Sequence, residues 1–346
     1  MAPVPVSVLD LAPVVSGSTP AQALANSLDL ARHADVLGYN RYWVAEHHNM
    51  LGIASSSPAV LIGHLASVTG NLRVGSGGVM LPNHQPLVVA EQFGMLEALH
   101  PGRIDLGIGR APGTDPATAR ALRRSAESMG ADDFLEQLGE LVGFFHGSFP
   151  ASHPYRHITA VPGLGYAPAL WLLGSSGYSA QVAGALGWPF AFAHHFSPAN
   201  TVPALQLYRS SFQSGRGLER SHAMVAVSVI CADSDEKADW IAGPAGLARV
   251  RMATGTHGVY PSPEEAAAHT YSSEEAAIVE GWRNSQVVGG PDTVRRRIAD
   301  LLEITEADEL MVTTTVHDHD DRLRSYELLA EILQIGRPAG HRATNP

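Results

Sequence analysis

At 346 residues the chain is long for one ordinary domain and of normal size for a (β/α)₈ barrel with insertions. Its 45% apolar and 16% charged content excludes a disordered chain and supplies a large core. A formal net charge of −11 with no basic stripe excludes nucleic acid and an anionic membrane surface as partners.

Strand-like runs alternate with helical ones, the pattern of parallel βα units. Residues 4–9 read as the first strand. Thr19-Pro20 offers an N-cap with proline in the first helical turn, and Gly38 a C-cap, so a helix is predicted over 20–37. Strand 41–45, helix 58–69, strand 72–77, helix 86–99 and strand 104–109 follow. The middle is less regular, with a helix at 132–146 and a Pro-, Gly- and His-rich excursion at 149–166. Strand 169–173, helix 179–186, strand 190–193, helix 199–212 and strand 223–231 restore the alternation. Asp233-Ser234-Asp235 caps a further helix. Residues 253–286 break the pattern and read as a long insertion at the barrel mouth, suited to a mobile lid. Helix 291–304, strand 309–314 and helix 317–335 close the chain, with a flexible tail at 337–346.

Eight strands with alternating helices predict one α/β domain over 1–336, a (β/α)₈ TIM barrel with insertions at its C-terminal mouth. A doubly wound sheet would want a glycine-rich phosphate turn after the first strand, and Asp10-Leu11-Ala12-Pro13 does not supply one. The single Cys231 excludes an intramolecular disulfide and a cysteine zinc site, and its apolar run makes it a core thiol. No charged N-terminal region precedes a long apolar segment, and no run is long enough for a membrane span, so a cytoplasmic location is expected.

Six constellations stand at or near predicted strand ends. Glu46-His47-His48-Asn49 follows Tyr42-Trp43-Val44-Ala45 and aims two imidazoles and a carboxylate at the mouth, where proton transfer near neutral pH becomes available. One of the histidines could instead hold a loop, and His47 and His48 are not separated at this stage. Val74 to Pro82 carries Gly75, Gly77 and Gly78, which either admit a flat ligand or form a barrel-shaping bulge. Arg110, flanked by Gly109 and Gly113, can reach an anion bidentately. Gly174 to Ser179 brings small residues, hydroxyls and a helix start together, either as a phosphate cradle or as a plain serine N-cap. His194 and His195 end the sixth strand, either as part of a substrate-pocket wall or as structural packing. His317-Asp318-His319-Asp320 reads as caps and solvated surface.

Taken together, AEHHN at 45–49, VGSGGVMLPNHQP at 74–86, PGRIDLGIGRAPG at 101–113 and LLGSSGYSAQVA at 172–183 resemble the bacterial luciferase-like flavin-dependent monooxygenases, in order and over nearly the whole chain. Within that family the chain most resembles a subfamily that includes tailoring oxygenases of aromatic polyketide antibiotic pathways, such as mensacarcin biosynthesis. The resemblance implies a (β/α)₈ barrel, reduced FMN as cofactor, and oxygenation of a small organic substrate by O₂ through a C4a-peroxyflavin. It implies a separate flavin reductase as partner, and a homodimer. By resemblance His47 is the catalytic histidine, with Glu46 and His48 beside it. Gly77-Gly78 matches a cis peptide against the flavin ring, Arg110 a phosphate-binding arginine, and Ser175, Ser176, Tyr178 and Ser179 the phosphate loop. Luciferase has Thr where Tyr178 stands and cysteine where Gly109 stands, so light emission is not expected. Three alternatives remain: hydride transfer with the deazaflavin F420 on the same scaffold, a flavin-binding protein without catalysis, and a metal-dependent barrel hydrolase. The last would place H-x-H on the first strand, which reads VPVSVLDL.

Overall fold

The computed structural model describes residues 4–111, 114–123, 133–215, 217–256 and 258–336. The strands are β1 (Val6–Asp10), β2 (Arg41–Val44), β3 (Arg73–Met80), β4 (Ile104–Gly109), β5 (Ala169–Gly174), β6 (Phe190–Ala193), β7 (Ala223–Cys231), β8 (Val287–Gly289) and β9 (Glu309–Thr313). The helices are α1 (Pro20–Leu37), α2 (Pro58–Val68), α3 (Pro86–Leu99), α4 (Pro116–Arg123), α5 (Phe134–His146), α6 (Gly177–Leu186), α7 (Thr201–Ser211), α8 (Asp235–Ala253), α9 (Pro263–Ala268), α10 (Ser273–Arg283), α11 (Pro291–Thr305) and α12 (His319–Leu333).

Parallel pairings run from β1 through β6 to β7, then to β9 and back to β1. This closes an eight-stranded barrel, the predicted (β/α)₈ architecture. Its strands are buried on both faces, which is why they read as near-continuous apolar runs. β8 stands outside the ring: Met224–Ser228 pairs β9, and the end of β7 at 229–231 pairs β8.

The two-residue period of each strand sorts the side chains. Val225, Val227 and Val229 point outward into the large core between sheet and helices, with Leu310 and Val312 beside them. Leu9, Trp43, Trp171, Ala191, Met224, Ala226 and Met311 form a separate cluster inside the barrel, where Trp43 and Trp171 meet edge to face at 5.3 Å. Below this layer Arg41 bridges Asp105 at 2.8 Å and Glu309 at 3.0 Å, and Arg73 holds the other Asp105 oxygen at 2.6 Å. Both carboxylates are fully buried. Burial alone would raise the Glu309 pKa, but hydrogen bonding to His222 and the Arg41 charge outweigh it and hold the group ionised. A polar floor and an apolar middle separate the open top of the barrel from a smaller cavity of about 400 Å³ lined by Arg41, Arg73, Trp171 and His222 at the other end.

Several local features differ from the sequence expectation, among them the unforeseen short strand β8 and the extension of β3 to Met80. Helix α6 begins two residues earlier than predicted, at Gly177, and α4 was not foreseen. The stretch 253–286 is not irregular, since it carries α9 and α10. Each of those helices starts in a capping box, Ser262 with Glu265 and Ser272 with Glu275. The insertion is also tied down: Ser16 N–H donates to Tyr260 O and Tyr260 N–H to Val14 O, both at 2.8 Å. The predicted tail at 337–346 lies outside the described residues. No helix of the described residues is long and apolar enough to cross a membrane.

Candidate active site

The chain leaves β2 with its alternation intact. Trp43 faces into the barrel, so Ala45 and His47 follow inward, while Glu46 turns sideways beneath the neighbouring loop. Glu46 is completely buried. Its Oε1 accepts from His48 Nε2 and from His84 Nε2, each at 2.9 Å, and its Oε2 accepts from Met80 N–H at 3.1 Å. Burial would raise its pKa, but hydrogen bonds and charge from His84, then the His48 and Met80 bonds, lower it below the ordinary carboxylate value. Glu46 therefore orients the loops after β2 and β3 and does not itself line the open space. His84, which sequence reasoning passed over, completes this cluster.

A cavity of about 920 Å³ opens at the barrel mouth. His47 and His48 reach it from β2, His195 from β6, Ser228 and Ile230 from β7, and Thr313 and Thr315 from β9. The end of α8 and the insertion close one side, with Met252 from the helix and Tyr260, Ile278 and Trp282 from the insertion. A largely apolar wall with a few convergent polar groups suits a small organic molecule. His47 N–H donates to Ser55 O at 3.0 Å, which fixes its backbone. Its ring Nδ1 is buried with no hydrogen-bond partner among the described residues. Burial lowers the His47 pKa, opposed by the Glu46 charge, so the ring is neutral and able to take a proton.

The adjacent mouth sector, at the ends of β3, β4 and β5, holds the other predicted residues. The Gly77–Gly78 peptide is cis. The glycines there answer first to strand packing: a Cβ on Gly107 would stand 2.1 Å from Ser76 O, and one on Gly78 2.7 Å from Gly107 O. The β3–β4 register slips between Gly77 and Val79, so the barrel-shaping bulge is present. The Arg110 guanidinium lies 4.1 Å over the Tyr178 ring. It has no carboxylate partner among the described residues. Tyr178 opens α6 beside Ser175 and Ser176, both exposed, and Ser179 is buried against Gly174. Ser176 sits in the N-cap position with extended backbone, yet its side chain makes no capping bond. The first amides of α6 are thus left as donors beside an uncommitted arginine. Gly77, Gly78, Arg110 and the 175–179 turn border the 920 Å³ cavity's sector without lining it.

The two histidines after β6 part company by the same alternation. His195 faces the cavity, whereas His194 lies outside it and places Nδ1 2.8 Å from Thr201 Oγ1 at the start of α7. Two further links were not foreseen: Thr114 Oγ1 donates to His48 O at 3.0 Å, and Asn49 Nδ2 to Asp115 Oδ2 at 3.0 Å. They join the loops after β2 and β4. Among the described residues no group of three His, Cys, Asp or Glu could hold a metal. At the last helix, Asp318 caps α12 and His319 pairs with Asp29 at 3.0 Å, the surface roles expected.

A family model described as luciferase-like monooxygenase matches residues 4–308. The Bacillus subtilis protein YvbT, itself uncharacterised, is 52% identical, covering 94% of this chain and 96% of that protein. An Escherichia coli protein named luciferase-like monooxygenase is 48% identical over the same shares. Among solved structures, apo-MsnO8 superposes with a TM-score of 0.87 at 39% identity, covering 96% of this chain and 99% of that one. The FMN complex of the oxygenating constituent of Pseudomonas putida 3,6-diketocamphane monooxygenase (TM-score 0.71, 22% identity) shares the fold. So does an F420-dependent secondary alcohol dehydrogenase (TM-score 0.65, 12% identity). The resemblance carried by the strand-end motifs is therefore borne out, and the chain belongs to the luciferase-like monooxygenase family.

Proposed function

We propose that the protein is the oxygenating component of a two-component system, taking reduced FMN from a separate flavin reductase and using O₂ to oxygenate a small organic or polyketide-type substrate. The observation that carries this reading is the convergence of Arg110, the Tyr178 ring and the uncapped start of α6. An unpaired guanidinium beside free backbone amides fits a phosphate monoester. The orphaned Nδ1 of His47 marks the second place where a bound group would complete the site. Reduced FMN, when bound, supplies the electrons that activate O₂.

The residues of this chain do the rest. Arg110 and the 175–179 turn hold the phosphate and set how deep the cofactor sits. Glu46 keeps His48, His84 and the Met80 amide in place. His47, neutral and half-buried, takes or returns a proton at the reacting centre. The apolar wall and the α9–α10 insertion exclude water. The same phosphate cradle would also serve F420, so cofactor choice is the second reading and rests on direct binding. Homodimerisation is supported by apolar side chains left exposed on α2 and α3, among them Val60 at 66% and Leu99 at 66%, and sedimentation velocity tests it.

Arg110→Ala tests the cradle. Loss of one charge-assisted phosphate contact, worth about 1.5–3 kcal/mol, should weaken reduced FMN binding by roughly 10- to 150-fold. Riboflavin, which lacks the phosphate, should bind both proteins equally. Equal loss for riboflavin and FMN would show that Arg110 holds the ring or the fold and not the phosphate.

A further inference from the structure

The fold defines both the tautomer of His195 and the ring atom that it leaves free toward the cavity. It follows Ala191 and Ala193 along the inward face of β6, so the strand delivers its ring to the cavity. Its backbone N–H donates to Ala226 O at 3.2 Å, and its ring Nδ1 lies 3.0 Å from that same oxygen. A carbonyl only accepts, so the Nδ1 carries the proton and Nε2 carries a lone pair. Phe196 packs its ring 4.3 Å from the imidazole and limits rotation. Nε2 has no hydrogen-bond partner among the described residues. Burial pushes the His195 pKa down to about 4; the Ala226 bond opposes this, and His194 and His47 add to it. The ring is therefore neutral at physiological pH, and Nε2 is an acceptor there, never a donor.

We infer that His195 is a specificity-determining residue: its Nε2 accepts a hydrogen bond from an O–H or N–H of the substrate, which is an apolar molecule bearing one such donor. This rests on the cavity being the substrate pocket of the proposed monooxygenase. An acceptor desolvated by an incoming apolar molecule and left unpaired is costly, so the site rejects analogues without the donor more strongly than it rewards those with it. Most of the wall's surface is apolar, from side chains such as Leu11, Ile53, Ile230, Ile278 and Trp282, although Asp115, Arg249 and Arg251 also line it, and His47 is occupied with proton transfer in the proposed mechanism. The substrate's donor is thus held across the mouth from His47, which fixes which end of the molecule faces the reacting centre.

The test needs neither flavin nor turnover, so its failure is distinct from failure of the monooxygenase reading. The probes are 4-hexylphenol and 1-fluoro-4-hexylbenzene, alike in shape and differing in the donor. Binding is followed by calorimetry and by the fluorescence of Trp282 in the cavity wall. The phenol should bind the wild type about ten-fold or more tighter than the fluoro compound. His195→Phe should abolish that preference, and His195→Gln, which keeps an acceptor, should retain part of it. In ¹⁵N-histidine spectra the His195 signal, identified by its loss in the variants, should show the Nδ1–H neutral form from about pH 5 to 8. Equal binding of the two probes, no binding of either, a preference that survives His195→Phe, or an Nε2–H tautomer would each overturn the proposal. The wild-type spectra decide even if the Phe variant does not fold.

Discussion

Glu46→Gln is the most informative single change at the base of the site, because it keeps volume and removes charge. The carboxylate receives three hydrogen bonds, from His48, His84 and the Met80 amide. A hydrogen bond to a charged group contributes about 1.5–3 kcal/mol and a neutral one about 0.5–1.5 kcal/mol, so each bond weakens by roughly 1 kcal/mol. The amide is easier to bury than the carboxylate, which returns part of that loss. The expected net destabilisation is about 1–3 kcal/mol at neutral pH, read as a lower urea midpoint with unchanged slope. The pH dependence carries the sharper test. The folded pKa of Glu46 lies below its ordinary value of 4.5, so its contribution is full above that value and disappears as pH falls through the folded one. The stability gap between wild type and Glu46→Gln should therefore shrink as pH falls below 4.5. A gap that stays constant or widens over that range would refute the assignment of Glu46 as the ionised centre of the cluster.

Three further outcomes are expected. His47→Ala should bind reduced FMN nearly as well as wild type, but release a larger share of the consumed oxygen as hydrogen peroxide; an unchanged share, measured in an oxygen electrode with and without catalase, removes His47 from the proton step. Gly107→Ala would put a Cβ at 2.1 Å from Ser76 O, a backbone contact that cannot yield, so it should cost more than about 3 kcal/mol or fail to give soluble protein; a thermal melt like wild type contradicts the packing reason given for that glycine. Cys231 is buried, and burial pushes its thiol up to about 12, so a disulfide reagent at neutral pH should modify it only in denaturant.

The barrel was legible because buried parallel strands leave continuous apolar runs between capped helices, and the caps at Thr19, Gly38 and Ser234 are where the chain announces its turns. The site was legible to the level of strand ends. Alternation past the strand separates His195 from His194, since Ala193 inside implies His195 inside and turns His194 toward α7, but it does not divide His47 from His48: both reach the cavity, and only the bond from His48 to Glu46 sets them apart. The boxes Ser262-x-x-Glu265 and Ser272-x-x-Glu275 were also readable as helix starts, though Gly, Pro and His around them masked the helical period. His84 could not be found the same way. Its partnership with Glu46 joins loops from two different strands across 38 positions, and no local period encodes such a contact.

The central claim is that this barrel binds reduced FMN at Arg110 and the 175–179 turn. Anaerobic titration of the purified protein with reduced FMN, and in parallel with reduced F420, addresses it directly. The account predicts saturable binding of reduced FMN that is lost by roughly 10- to 150-fold in Arg110→Ala, with F420 the weaker ligand. Saturable binding of F420 with none of reduced FMN would contradict it and move the reaction to hydride transfer.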